Sequence, residues 1–323
     1  MSGEYVKGSL YFYAPNKGAP IFFAVAFAAS GLYHAYQCIH YNSWRTTGLY
    51  VFCSALFATG FIIREVSAYH YTDLGYYIAS LCLIFAAPPL LELSNYNILG
   101  RLLYYVPHHS PIHPGRVITT FTMISAVVES LNGAGASLTA NLSLPEHKQA
   151  AGRSLLKASL VIQIVVLLLF ASLAGTFHLR CRRAGVTHPN VTGVLRTLYA
   201  SGVILMARTI FRTVEYFGVA DFHLREGVGV EDLSPMLRYE WYFYVFEAAL
   251  MLVNNVLINV RHPRQYLPKS VKTYLAEDGV TEVTGEGYVD ERPFLVTVLD
   301  PFGLGKRSSS RKANGKGEVE AVV

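Results

Sequence analysis

Arg208, Arg212 and Glu215 fall at i, i+4 and i+7 inside an otherwise apolar stretch, so a helix there carries two guanidiniums and a carboxylate on one face. Glu240, Tyr244, Glu247 and Met251 repeat the arrangement further along the chain. An ionisable side chain at lipid depth costs about 2.5 to 3.5 kcal/mol on insertion scales and therefore faces a partner or a wet cavity. Hydrocarbon solvates neither stripe, and both are expected to turn inward toward each other or toward water. Two uses stay open: buried ion pairs that lock helix register, or a polar interior that receives a charged ligand. Arg64-Glu65 and Glu92 lie in comparable surroundings, and Glu65 can reach the same interior. Glu129 opens the run Glu129-Ser130-Leu131-Asn132-Gly133-Ala134-Gly135, in which Gly133 lies one turn beyond the acid. The glycines suit close helix packing; packing has no use for a carboxylate, so Glu129 and Asn132 are candidate ligand contacts.

Elements able to hold such groups follow from composition. Of 323 residues 52% are hydrophobic and 15% charged, and the mean hydropathy is +0.31. A soluble domain carries about 25% charged residues, so this chain is read as a membrane protein. Its formal charge of +5 is scattered, which excludes a nucleic-acid binder. Seven apolar windows of the roughly 20 residues that span a bilayer are present. They run over 19–39, 47–68, 74–93, 117–138, 155–177, 194–219 and 239–260. Pro88-Pro89 is expected to kink the third or end a turn within it. The fold class is thus all-α, a polytopic bundle of seven transmembrane helices.

Basic residues favour the cytoplasmic side. With the C-terminus inside, eleven (Arg45, Arg101, Arg116, Arg180, Arg182, Arg183, Arg196, Arg261, Arg264, Lys269 and Lys272) lie inward. Seven (Lys7, Lys17, Lys148, Arg153, Lys157, Arg225 and Arg238) lie outward, so the N-terminus is expected outside and the C-terminus in the cytoplasm. No removable signal peptide is expected, the first span serving as a signal anchor. Residues 1–268 form the membrane domain and 269–323, rich in Glu, Gly, Lys and Ser, a disordered cytoplasmic tail. Four dispersed cysteines make neither a disulfide framework nor a CxxC site; Cys181, among Arg180, Arg182 and Arg183, is either a plain thiol or a palmitoylation site. Of two sequons, Asn141-Leu142-Ser143 lies in an expected outer loop and is the glycosylation candidate, and Asn190-Val191-Thr192 lies in an inner one.

Four motifs in order carry a resemblance. They are FIIREVSAY at 61–69, APPLLELSNYNILGRL at 87–102, ARTIFRTVEYFG at 207–218 and YEWYFYVFEAALMLVNNVLINVRHPRQYL at 239–267. Over roughly residues 10 to 268 the sequence resembles the fungal RTA-like proteins, the lipid-translocating exporter family named for resistance to aminocholesterol. Glu129, Asn132, Gly133 and Gly135 stand where that family typically has aspartate, glutamine and glycines, and Glu247 where it often has aspartate. These swaps keep polarity and change reach, which bears on the substrate more than on the fold. The resemblance implies a seven-helix protein that moves amphipathic molecules, or controls their export: sphingoid bases, sterol-like or toxic lipophilic compounds. It implies resistance to them and residence in the plasma membrane, with vacuole or endoplasmic reticulum as alternatives.

There is no GxxxxGK[ST] loop, so transport is passive, gradient-driven or absent. The leading reading places the amine of a cationic amphiphile against a carboxylate among Glu65, Glu129, Glu215 and Glu247, with its tail in lipid. Arg208 and Arg212 keep those acids ionised, and Asn132 and Tyr244 line the way. The alternative is a seven-helix receptor or regulator of lipid asymmetry without transport. An enzyme is not expected, nor a cofactor. His108, His109 and His113 lie in a proline-stiffened loop without a carboxylate and are read as a solvated turn rather than a metal site. The expected partners are membrane lipids and the amphiphile.

Overall fold

A computed structural model describes residues 11–285 except 12, 14, 71, 141, 142, 224–237 and 277. Among these residues seven helices are long and apolar enough to cross a membrane. They are α1 (Ala19–His40), α2 (Trp44–Tyr69), α3 (Leu74–Tyr105), α4 (Pro114–Ala140), α5 (Glu146–Arg183), α6 (Pro189–His223) and α7. The last is built of consecutive pieces, Trp241–Phe243, a π-helical turn Tyr244–Ala249 and Leu250–Val260. Starts and stops follow local chemistry. Asp73 caps α3 by accepting from the amides of Gly75 (2.8 Å) and Tyr76 (3.4 Å). Leu32, Phe22, Val203 and Val260 stand exposed on the outside, the apolar belt of an integral multi-pass protein.

Each helix packs on its neighbour in sequence, α1 closes on α7, and α3 crosses to α6. Helices α4 and α5 form a hairpin flanking α3 and α6. The α4–α5 crossing turns on Gly135, where a Cβ would stand 2.7 Å from Leu156 Cγ and 2.9 Å from the Gly152 carbonyl oxygen. Gly133 meets nothing within 4 Å. Of the two glycines beyond Glu129, only Gly135 therefore does the packing. Gly135→Ala is expected to destabilise the bundle by about 1 to 3 kcal/mol, because the crowding atoms include main chain that cannot yield. Gly133→Ala should leave the melting temperature in detergent unchanged or slightly raised, since alanine is the better helix former. Equal melting temperatures for the two variants would contradict this assignment.

Two expectations need correction. The third span does not stop near residue 93: α3 runs on through the buried Pro88 and Pro89 to Tyr105. The polar residues of its last turns are satisfied by other parts of the bundle. The Asn95 amide accepts from Tyr50 (3.2 Å) and donates to Ser201 (2.7 Å), and Arg101 donates to the Pro268 carbonyl (2.8 Å). The segment from 269 onward is also not structureless at its start. Thr273–Leu275 (β1) pairs antiparallel with Glu282–Thr284 (β2). Leu275 is buried, and Tyr105 donates to Glu282 (2.5 Å), which seats this hairpin on the end of the bundle. Its turn uses Gly279 at φ +69. The Asp278 carboxylate accepts from the Thr281 hydroxyl and the Val280 and Thr281 amides, which hold it below the usual carboxylate range. Residues 286–323, the rest of the expected tail, and Asn141 lie outside the described residues. Cys181 is buried, which leaves the plain thiol as its reading.

Candidate functional site

Among the described residues the ionisable groups at membrane depth sort into three arginine-bound pairs and three acids that hydrogen-bond no arginine. Arg208 of α6 meets Glu247 of α7: Nε donates to both carboxylate oxygens at 2.8 and 2.9 Å, and Nη2 to Oε1 at 2.6 Å. Both side chains are buried. This joins the two stripes as the spacing predicts, and the π-helical turn that holds Glu247 marks the contact.

Arg212 and Glu215 behave differently. They pair with each other within α6 at 2.5 Å, and the Arg212 guanidinium lies 3.8 Å from the centre of the Phe85 ring on α3. Of the sixth-helix stripe, Arg208 alone hydrogen-bonds an acid of α7 among the described residues. Arg212, one turn on and about 40° round the helix, meets α3 instead, where an i,i+3 partner and a ring face satisfy it.

The third pair was only half visible in the sequence. Arg64 of α2 donates through Nη2 to Glu240 (2.9 Å) and Tyr13 (3.2 Å), and through Nε to the Tyr244 hydroxyl (3.4 Å). Tyr244 in turn donates to Glu240 (3.1 Å), which also accepts from the Asn16 amide (2.7 Å). The guanidinium stands over the rings of Phe243 (4.1 Å) and Tyr11 (4.8 Å). Tyr244, a candidate ligand contact, is thus spent on this cluster. Arg64 and Glu240 belong to it although the sequence reading chose neither as a site residue.

The remaining acids are Glu65, Glu92 and Glu129. Glu92 accepts from Gln163 (2.8 Å) and Tyr96 (3.4 Å). Glu129 accepts from Asn132 (3.4 Å), whose carbonyl accepts from Ser159. Glu92 and Glu129 line one cavity with Pro89, Ser125, Val128 and Gln163; at about 10 Å³ it has the room of a single water molecule. An alkylammonium group does not fit there. Glu65 accepts only from the Gly18 amide (3.2 Å) and borders an open groove of about 350 Å³ between α1 and α2. The other walls of that groove are Ile21, Ala24, Val25, Ala28, Ile62 and Val66. The eight candidate residues are therefore spread over five places, not gathered in one chamber.

Comparison with known proteins gives a consistent set. The family profile described as "RTA1 like protein" matches residues 50–270, more than half of the chain. The chain is similar to the "Lipid-translocating exporter-like protein RTA1" of Leptosphaeria maculans, 44% identical over 312 residues that cover 93% of this chain and 60% of that protein. It thus spans less than two thirds of that relative's length. A protein of the same name from Ajellomyces capsulatus is 30% identical over 267 residues, 76% of this chain and 78% of that one. The "Probable lipid transporter atnI" of Emericella nidulans is 24% identical over 279 residues, 80% of this chain and 69% of its own length. No solved structure matches the chain.

Proposed function

The chain belongs to the RTA1-like family, and from that premise we propose that it binds and moves a cationic amphiphile whose amine rests on Glu65 and whose tail lies in the α1–α2 groove. One observation carries this reading. Among the described acids at membrane depth, Glu65 alone joins a carboxylate that no arginine holds to an apolar groove large enough for an alkyl chain. Glu215, Glu240 and Glu247 already hold arginines, and Glu92 and Glu129 sit on a cavity with no room for an ammonium head and its alkyl chain together. The geometry matches a sphingoid base, a positive head on a long tail, and the relatives' names point to lipids as the class of cargo. The proposal narrows the four acids raised by the sequence to one. Asn132, with Glu129, is a helix-packing contact in it, and Arg208 and Arg212 are structural.

The same reading keeps the N-terminus outside and the C-terminus in the cytoplasm. Arg101, Arg116, Arg180, Arg182, Arg183, Arg261 and Arg264 all stand at the end of the bundle that carries the β-hairpin. It assigns no chemical reaction to the chain, and resistance to the cargo follows from its removal.

Glu65→Gln keeps the shape and removes the charge. With purified protein in vesicles and a fluorescent long-chain base, this change is expected to lower binding and movement of the base at least several-fold. The amount of folded protein should stay the same, because Glu65 holds no arginine. Unchanged movement would reject Glu65 as the receiving group.

A further inference from the structure

Between α1, α2 and α7 lies a second polar region that the amphiphile reading does not use. His34 is fully buried, and neither ring nitrogen has a hydrogen-bond partner. The side-chain carbonyls of Gln37, Asn255 and Asn259 are orphaned too, and Asn254, next to Asn255 in the chain, is fully buried with both amide atoms orphaned. Leaving a buried polar group unpaired costs about 1 to 3 kcal/mol, so a stretch of them inside an apolar bundle marks a place that receives hydrogen-bonding molecules. The rest of the seam is ordered by direct bonds. Asn259 donates to Ser30 (2.7 Å), Gln37 to the Asn259 carbonyl (2.7 Å) and Asn255 to Ser54 (2.8 Å). Toward the β-hairpin end, Thr47 meets His262 Nε2 at 3.3 Å. His262 Nδ1 accepts from the Arg264 amide, which leaves the ring proton on Nε2.

Toward the other end the seam stops at a layer of phenylalanines. Phe27 stacks on Phe57 (4.4 Å between centroids) and Phe61 (5.8 Å), and Phe23 on Phe61 (5.3 Å). All four are buried. Beyond them Phe23 stacks on Tyr244, a member of the Arg64–Glu240 cluster. Two polar regions are thus divided by one apolar layer.

We propose that His34 is the proton carrier of a gated proton path through α1, α2 and α7, with the Phe27–Phe57 layer as its closed gate. The occupants are water molecules, which suit an enclosed region whose groups offer both donors and acceptors without charge. In the step itself the unprotonated ring nitrogen accepts the excess proton of a protonated water on one side, giving imidazolium and leaving a neutral water. The proton already on the other nitrogen then leaves to a water on the far side. One proton is moved, and the ring returns to its starting tautomer by turning over. The titratable groups facing His34 are Tyr50 of α2, stacked on it at 5.1 Å, and His262 just beyond the end of α7, with the Asn255 main chain beside it. No ion pair reaches His34 among the described residues.

The full-length protein is reconstituted in vesicles holding a trapped pH-sensitive dye, under an imposed pH gradient with valinomycin and potassium clamping the voltage. No lipid cargo is present, so a failure here is separate from a failure of the Glu65 reading. Phe57→Ala is expected to raise proton entry several-fold over the wild type, and His34→Gln added to it should return entry to the rate of empty vesicles. Phe57→Leu serves in its place if the alanine variant does not fold. Entry unaffected by opening the layer, or unaffected by His34→Gln in the opened protein, overturns the proposal. So does loss of trapped carboxyfluorescein alongside the protons.

Discussion

Replacing Arg208 by alanine is expected to cost the folded protein about 3 to 5 kcal/mol, because one member of a buried ion pair leaves the other stranded. Glu247 accepts three bonds from Arg208 and is itself almost wholly enclosed between α6 and α7. No other arginine bonds to it among the described residues: Arg212, the next along α6, is held by Glu215 and Phe85. The loss should appear as a lowered melting temperature in detergent and a smaller yield of folded protein. Arg208→Lys should recover only part of it, since an ammonium cannot reproduce the fork that meets both carboxylate oxygens. The double variant Arg208→Met with Glu247→Leu separates two explanations. If the pair's role is structural, removing both charges should restore most of the stability, as it does where buried pairs give way to apolar residues. A single Arg208→Ala variant that melts with the wild type would show that the pair contributes nothing to folding.

How much of this was legible beforehand depends on range. The seven spans and their order came from apolar runs of bilayer length, a local property that survives into the fold almost unchanged. Arg208 with Glu247 was legible too, because a helical stripe of charges must be neutralised by a neighbouring stripe, and α6 and α7 are neighbours in sequence. What failed was partner choice at longer range. Glu92 looked like the end of a span; Gln163, its closest partner, lies 71 residues away on α5. Arg64 and Glu240 are 176 residues apart, and nothing local to either names the other. The neutral polar seam was passed over for a different reason. His34, Asn254, Asn255 and Asn259 carry no formal charge, so a search for ionisable residues at lipid depth goes past them. Their signal was present: amides at i, i+1 and i+5, followed by His262, inside a run otherwise made of valine, leucine and isoleucine. An amide in hydrocarbon costs less than a charge and still needs partners.

Removal of Arg64 should act on the opposite end of the bundle from the hairpin, and by a different route. Arg64 is not held by one acid alone. It bonds Glu240, Tyr13 and Tyr244 and lies between the rings of Phe243 and Tyr11, so it ties the segment before α1 to α2 and α7 at once. Arg64→Ala therefore strands Glu240 and also loosens the N-terminal segment, whose other anchors include the Tyr11–Ser67 bond (2.8 Å), the Gly18–Glu65 bond, the Asn16–Glu240 bond and the Tyr11–Tyr77 ring contact. A loss of about 3 to 5 kcal/mol is expected from the stranded acid. A second readout reports the local release: limited proteolysis between residues 11 and 18 should quicken, while cleavage in the hairpin at 273–284 stays as in the wild type. Arg64→Lys should sit between the two, since it keeps the charge and the ring contacts but loses the planar fork. Arg208→Ala supplies the control, for it should lower the melting temperature without quickening cleavage before α1 under conditions where the bundle is still folded. Equal cleavage before α1 in both variants would mean that Arg64 stabilises the bundle as a whole and holds no segment in particular.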